Sequence, residues 1–192
     1  MGVLEKEDER QNVLDILRKT RIALKTEDVM TLREASSRTV HSASIYKDMD
    51  SIAVAVIVYA LSKIIERKKY VAYEGWSVFY RKVLVGIDKG IDDLEGKNFI
   101  QFRKDIMEIR TGIGSLSGNL KTYIQDVFRE AQISRASRLY EHGISSAETT
   151  QLLGITQFEL AEYIGKTGIA DVDLSMTMSM KTRLNFARSL FS

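Results

Sequence analysis

Chemistry at neutral pH needs groups that trade protons, attack as nucleophiles or hold metals, and this chain has few of them. It contains two histidines and no cysteine, which removes thiol nucleophiles, disulfides and zinc-thiolate sites together. His41 and His142 lie about 100 residues apart, and neither belongs to an H-E-x-x-H pattern, the spacing that sets two imidazoles on one helix face around zinc. The stretch richest in reactive groups is Arg38-Thr-Val-His41, with Ser42, Ser44, Asp48 and Asp50 close behind. Arg38 and His41 are three residues apart and so share a helix face. The plainer role for His41 is packing, partly buried and hydrogen-bonded to a neighbour. Asp48-x-Asp50 resembles a helix cap more than a metal site, since no third carboxylate follows.

The composition points away from catalysis and toward helices. There is no proline, where average usage would put roughly nine or ten. Proline breaks helix interiors, so a chain without it can be long helices joined by glycine and polar turns. At 192 residues it can bury a core without a staple. The apolar run from Ile52 to Leu61 is broken by Ser62 and Lys63, short of the about 20 residues a membrane span needs, and is expected to be a central buried helix. The N-terminal MGVLEKEDER lacks the apolar h-region of a signal peptide, so a cytoplasmic location is expected. The net charge of +2 is spread along the chain and gives no basic stripe for nucleic acid.

Helical spacing predicts helices over residues 5–25, from Thr26 or Glu27 to Ser44, from Ser51 to Lys69 with Asp48 or Asp50 as cap, and from Trp76 to near Gly96. The clearest periodicity follows. Phe99, Phe102, Ile106, Ile109, Ile113, Leu116, Leu120, Tyr123 and Val127 alternate spacings of three and four, a heptad seam. Gly112, Gly114 and Gly118 interrupt it, each costing about 1 kcal/mol in a helix. They imply close backbone approach along a continuous or kinked helix, or a break near 112–118. The seam packs either inside the chain or, over residues 99–127, as a homodimer interface. The motif GIGSLSG within it lacks the lysine and serine of a phosphate loop.

From Ile133 the segments shorten to ISRASRLYEHG, ISSAETTQLLG and ITQFELAEYIGK. Gly143 suits a left-handed C-cap, Ser145 or Ser146 an N-cap, and Leu153-Gly154-Ile155-Thr156 a turn in which Thr156 caps the next helix. With Thr150 small, Gly154 at the turn and Leu153, Ile155, Leu160 and Tyr163 inward, residues 133–169 resemble a helix-turn-helix. They look in particular like that of small prokaryotic antitoxin-like proteins, which pair with PIN-domain nucleases. The resemblance implies an exposed face of Thr156, Gln157, Phe158, Ala161, Glu162 and Gly165. Base reading favours Arg, Lys, Asn and Gln, and of these the face offers Gln157. Residues 133–170 hold three Lys/Arg against four acids, a poor footing for counterion release. An exposed aromatic beside an acid suits a protein contact better. Beyond Gly168, Val172, Leu174, Met176, Met178 and Met180 alternate with polar residues, a strand signal, and Lys181 to Phe191 reads as a terminal helix.

The expectation is an all-α chain: a helical bundle over 1–130 and a helix-turn-helix-like module with an arm over 131–192. Its expected function is non-enzymatic, that of a prokaryotic, archaeal-type regulator or adaptor binding a protein partner or nucleic acid through Thr156, Gln157, Phe158, Ala161 and Glu162. No cofactor, metal or membrane is expected. Two alternatives stand beside it. One is a purely structural scaffold. The other is a helical RNase centred on Arg38 and His41, although RNases of the HEPN type place four to six residues between the two and this chain places two.

Overall fold

The computed structural model describes residues 4, 6–46, 48–69, 73–112, 116 and 118–167. Among them are eight helices: α1 (Glu7–Lys25), α2 (Val29–Tyr46), α3 (Met49–Arg67), α4 (Trp76–Glu95), α5 (Phe99–Thr111), α6 (Gly118–Glu141), α7 (Ser146–Leu153) and α8 (Gln157–Thr167). The described residues contain no strand and no helix long and apolar enough to cross a membrane. The alternating stretch from Val172 to Met180 and the helix expected from Lys181 lie outside the described residues.

Several helices start where a side chain satisfies orphan backbone groups. Asp48 accepts from the Ser51 amide at 3.0 Å and so caps α3. For α2 the capping residue is Asp28, which takes the Thr31 amide at 3.0 Å and the Thr31 hydroxyl at 2.7 Å, and not Thr26 or Glu27. An aspartate carries two acceptors and a full charge at the positive end of the helix. The α1–α2 and α4–α5 corners share one hydrogen-bond pattern. The Asp28 amide reaches back to the Ala23 carbonyl at 2.8 Å, and the Asn98 amide to the Asp93 carbonyl at 2.7 Å. Glu27 and Lys97 sit between, both in the left-handed region at φ +53° and +59°, completing Schellman turns without glycine.

That shared corner marks an internal repetition. Helices α4–α6 follow the order of α1–α3, although among the described residues the close packing of α2 on α3 has no comparable counterpart between α5 and α6. α1 packs against α4, α3 against α6, and the cross-contacts α2–α6 and α3–α5 correspond. Buried positions correspond too: Val13 with Val83, Leu17 with Ile87, Leu24 with Leu94, Leu32 with Phe102. α3 lies at the centre and is buried almost all round. The boundary expected after residue 130 falls inside α6, whose 24 residues pack against α2 and α3 of the bundle and also against α7 and α8.

The heptad seam runs on two helices instead of one continuous helix. α5 ends at Thr111 and α6 begins at Gly118, whose φ of +56° no interior helical residue could hold. Phe102, Ile106, Ile109, Leu120, Ile124 and Val127 are buried, while Phe99, Leu116 and Tyr123 are partly buried against the core. α5 lies on α4 and α3, and α6 on α3, so the stripe finds its neighbours within the chain. Ile113 lies outside the described residues. The close approach implied by glycine occurs on α4, where a Cβ added to Gly86 would stand 2.6 Å from Cγ1 of Ile109.

Ile109→Ala should therefore cost about 2–5 kcal/mol in denaturant unfolding, as for a buried large-to-small change, and Gly86→Ala about 1–3 kcal/mol through overpacking. Combining Ile109→Ala with Gly86→Ala should cost less than the two single changes together, because alanine at 109 removes both the Cγ1 and Cδ1 atoms that a Cβ at Gly86 would meet. Additive losses, or single losses under about half a kcal/mol, would show that the notch is not a tight contact.

Candidate functional site

The α7–α8 pair is held in shape by its turn. Gly154 ends α7 at φ +63°, and Thr156 and Glu159 form a reciprocal capping box. The Glu159 amide donates to the Thr156 hydroxyl at 3.1 Å, and the Glu159 carboxylate accepts from the Thr156 amide at 2.8 Å. Arg129 of α6 grips the same carboxylate with Nε at 2.9 Å and Nη2 at 2.6 Å, and donates from Nη1 to the Gly154 carbonyl at 3.0 Å. The Thr156 amide, the Arg129 guanidinium and the Thr156 hydroxyl lower the Glu159 pKa to about 2. Leu153, Ile155 and Leu160 are buried, and Tyr163 is half-buried. Thr156, Gln157, Phe158, Ala161, Glu162 and Gly165 are all exposed, Phe158 by 76 %.

The charges on this face are committed within the module. Lys166 bonds Glu162 at 2.6 Å, and Arg129 is occupied by Glu159. The third helix thus offers phosphate few open cations.

Beside the module lies an apolar groove of about 390 Å³. Its floor comes from Ile52, Ala53, Val56 and Ile57 of α3, Phe102 and Ile106 of α5, and Phe128 of α6. The α7 end, Gln151 to Gly154, closes one side. Gln132 donates to the Leu153 carbonyl at 3.3 Å, which holds that side in place. Met107 stands at the lip, 63 % exposed, and Met49 beside it is also exposed. Arg103 binds Asp50 on the rim at 2.8 Å. Arg110, also on the rim, makes no ion pair among the described residues. The surplus charge around the groove is positive. The sequence signals this groove only weakly, because Met107 and Arg110 read simply as the outer face of the seam helix.

Arg38 and His41 are exposed on α2, so His41 is not the partly buried packing residue expected. The Arg38 guanidinium donates to the Asn12 side chain at 3.4 Å. The ring of His41 instead meets that of His142, with centroids 5.4 Å apart. No spacing rule could have joined two histidines so distant in sequence.

A second cluster also escapes the sequence. Asp93 of α4 lies against Asp105 of α5, which is buried. Asp105 accepts from Gln101 at 3.2 Å, and Lys89 stands 4.0 Å away. Burial, then the neighbouring Asp105 carboxylate, raises the Asp93 pKa. The available signal was an acid three residues after Phe102 and four before Ile109, hence on the same helix face.

The two perturbed acids predict opposite pH dependences. Glu159 has a lowered pKa, so its contribution to stability is present above its ordinary value of 4.5 and is lost as pH falls toward about 2. Asp93 has a raised pKa, so its contribution is present below its ordinary 3.8 and is lost as pH rises through the raised value. In thermal denaturation, Glu159→Gln should melt below wild type at pH 7 and converge with it near pH 2. Asp93→Asn should melt above wild type at pH 7 and converge with it in acid. Parallel, pH-independent offsets would contradict both assignments.

Comparison of the chain with family models, with curated proteins and with solved structures returns no match.

Proposed function

We propose that this protein is a non-enzymatic adaptor that captures an apolar segment of a protein partner. The groove between α3, α5, α6 and the α7–α8 turn is the observation that carries this reading. Its floor is aliphatic and aromatic, its lip is methionine and its rim has an arginine to spare. Methionine is unbranched and adapts to varied shapes, and a buried aromatic or leucine anchor contributes about 1.5–3 kcal/mol. The matching ligand is an amphipathic helix with apolar anchors and flanking acids. Exposed Phe158 on α8 offers the same class of partner a second contact. The antitoxin-like resemblance names one candidate source of such a helix, a PIN-domain nuclease.

The nucleic-acid reading has weaker support, since Arg129 is paired with Glu159 and Lys166 with Glu162. The RNase reading gains a second imidazole from His142, but neither histidine lines the groove described above.

The test uses the full chain and two fluorescent helical peptides, one with leucine anchors and glutamate flanks, the other with lysine flanks. Anisotropy should show the acidic peptide binding at least about tenfold tighter, and Met107→Glu or Arg110→Glu should weaken it by a similar factor. Random duplex DNA should bind weakly at about 0.15 M salt. Peptide binding indifferent to both substitutions, or tight and steeply salt-dependent DNA binding lost in Gln157→Ala, would overturn the proposal.

A further inference from the structure

The chain's two imidazoles come from distant parts of the sequence and meet at one surface point. A folded residue touches at most about a dozen others, so a chance meeting of the only two histidines among 192 residues is on the order of one in twenty. Both are exposed, so burial did not force them together.

Both are also carried on ordered backbone. His41 lies within α2, where its carbonyl accepts from the Ser44 hydroxyl at 2.7 Å. His142 is the first residue after α6, and its amide donates to the Arg138 carbonyl at 3.1 Å. Such placement lowers the entropy lost when a ligand fixes the two rings.

The separation of the two rings fits a chelate. Metal–nitrogen bonds of about 2.0–2.1 Å at a tetrahedral ion put two imidazole centroids roughly 5–5.5 Å apart. Here they are 5.4 Å apart, with the planes inclined at 61°. The charged residues next to His142 are already engaged with each other, Arg138 donating to Glu141 at 2.7 Å. Among the described residues no group of three or more His, Asp or Glu could hold a metal, so water would complete the coordination. Imidazole nitrogen without thiolate selects the nickel, copper and zinc end of the first-row divalent ions, while magnesium and calcium want oxygen.

We propose that His41 and His142 form a two-imidazole site for a divalent transition ion of the zinc–copper group. The ion ties α2 of the bundle to the turn that leads from α6 into the helix-turn-helix module. This site is separate from the apolar groove, and neither proposal requires the other.

The experiment titrates the full chain with Zn²⁺ by calorimetry, with Mg²⁺ as control, for wild type, His41→Gln, His142→Gln and the double variant. The expected result is one Zn²⁺ per chain, no Mg²⁺ response, and at least a tenfold loss of affinity from either single substitution. The double variant should lose little more than the singles, because two ligands of one ion fail as a unit. The absence of other histidines and of cysteine keeps the background low. A measurement on the unaltered protein stands beside this: Zn²⁺ should protect both histidines together from diethylpyrocarbonate. Affinity within twofold of wild type in either single variant, protection of only one ring, or no Zn²⁺ binding at millimolar concentration would each overturn the site.

Discussion

Arg135 of α6 is 5 % exposed, and its charge is met by something other than a carboxylate. Its guanidinium lies 3.9 Å over the ring of Tyr59 on α3. It also donates to the hydroxyls of Ser36 on α2 at 3.4 Å and of Ser134 at 3.2 Å. Burial pushes its pKa below the ordinary arginine range, yet a guanidinium stays protonated in proteins. Among the described residues the charge is accommodated by a π-face and dipoles, with Nε left unpaired. Such an arrangement tolerates little displacement. If α6 slid along α2 or α3, a buried cation would be stripped of its few compensating groups. Two turns earlier on the same helix, Arg129 fastens Glu159 and the Gly154 carbonyl. These two arginines give α6 a fixed position toward the bundle and toward the module.

The repetition within the bundle shows where the second unit departs from the first. Ala23 of α1 and Ala35 of α2 are small and buried, and the corresponding residues of α4 and α5 are Asp93 and Asp105. Two carboxylates in place of two methyl groups burden an interface through desolvation and mutual repulsion. Gln101 and Lys89 offset part of that. The second unit also ends its middle helix at Thr111, whereas α2 runs on to Tyr46. α5 supplies Phe102 and Ile106 to the groove floor and Met107 to its lip, while α2 contributes no lining residue. The groove thus forms where α3 of the first unit meets the shorter middle helix of the second.

Local features were readable from sequence because their causes are local. Asp48, Ser145, Gly143, Gly154 and Thr156 act where short-range backbone chemistry requires a cap or a positive φ. The stripe from Phe99 to Val127 was readable as buried because helical spacing alone selects a face. Its division into α5 and α6 was not decided, since Gly112 and Gly118 permit both a kink and a stop, and only packing on α3 and α4 chooses. His41 was misplaced for a different reason: exposure depends on which elements cover a face, and α6 brings His142 alongside it. Asp105 likewise looked like an ordinary acid on a helix. Glu159 adds negative charge to residues 133–170 when these are read alone, yet Arg129, just before that stretch, neutralises it.

The continuity of α6 limits how the groove can work. A binding site between two bodies usually adapts by a hinge, which needs a few residues able to absorb changes in φ and ψ. Here the bundle and the module are joined by one uninterrupted helix through Ala131, locked at Arg129 on one side and Arg135 on the other. The wall made by Leu153 and Gly154 is tied to that helix by two side-chain hydrogen bonds to its carbonyls. Adaptation must then come from side chains at the edge, and the residues standing there are Met49 and Met107. A rigid floor with a flexible rim suits recognition of apolar shape across related partners more than a conformational switch. The paired charges of α8 act in the same direction, because they leave Phe158 as the feature of that helix available for contact.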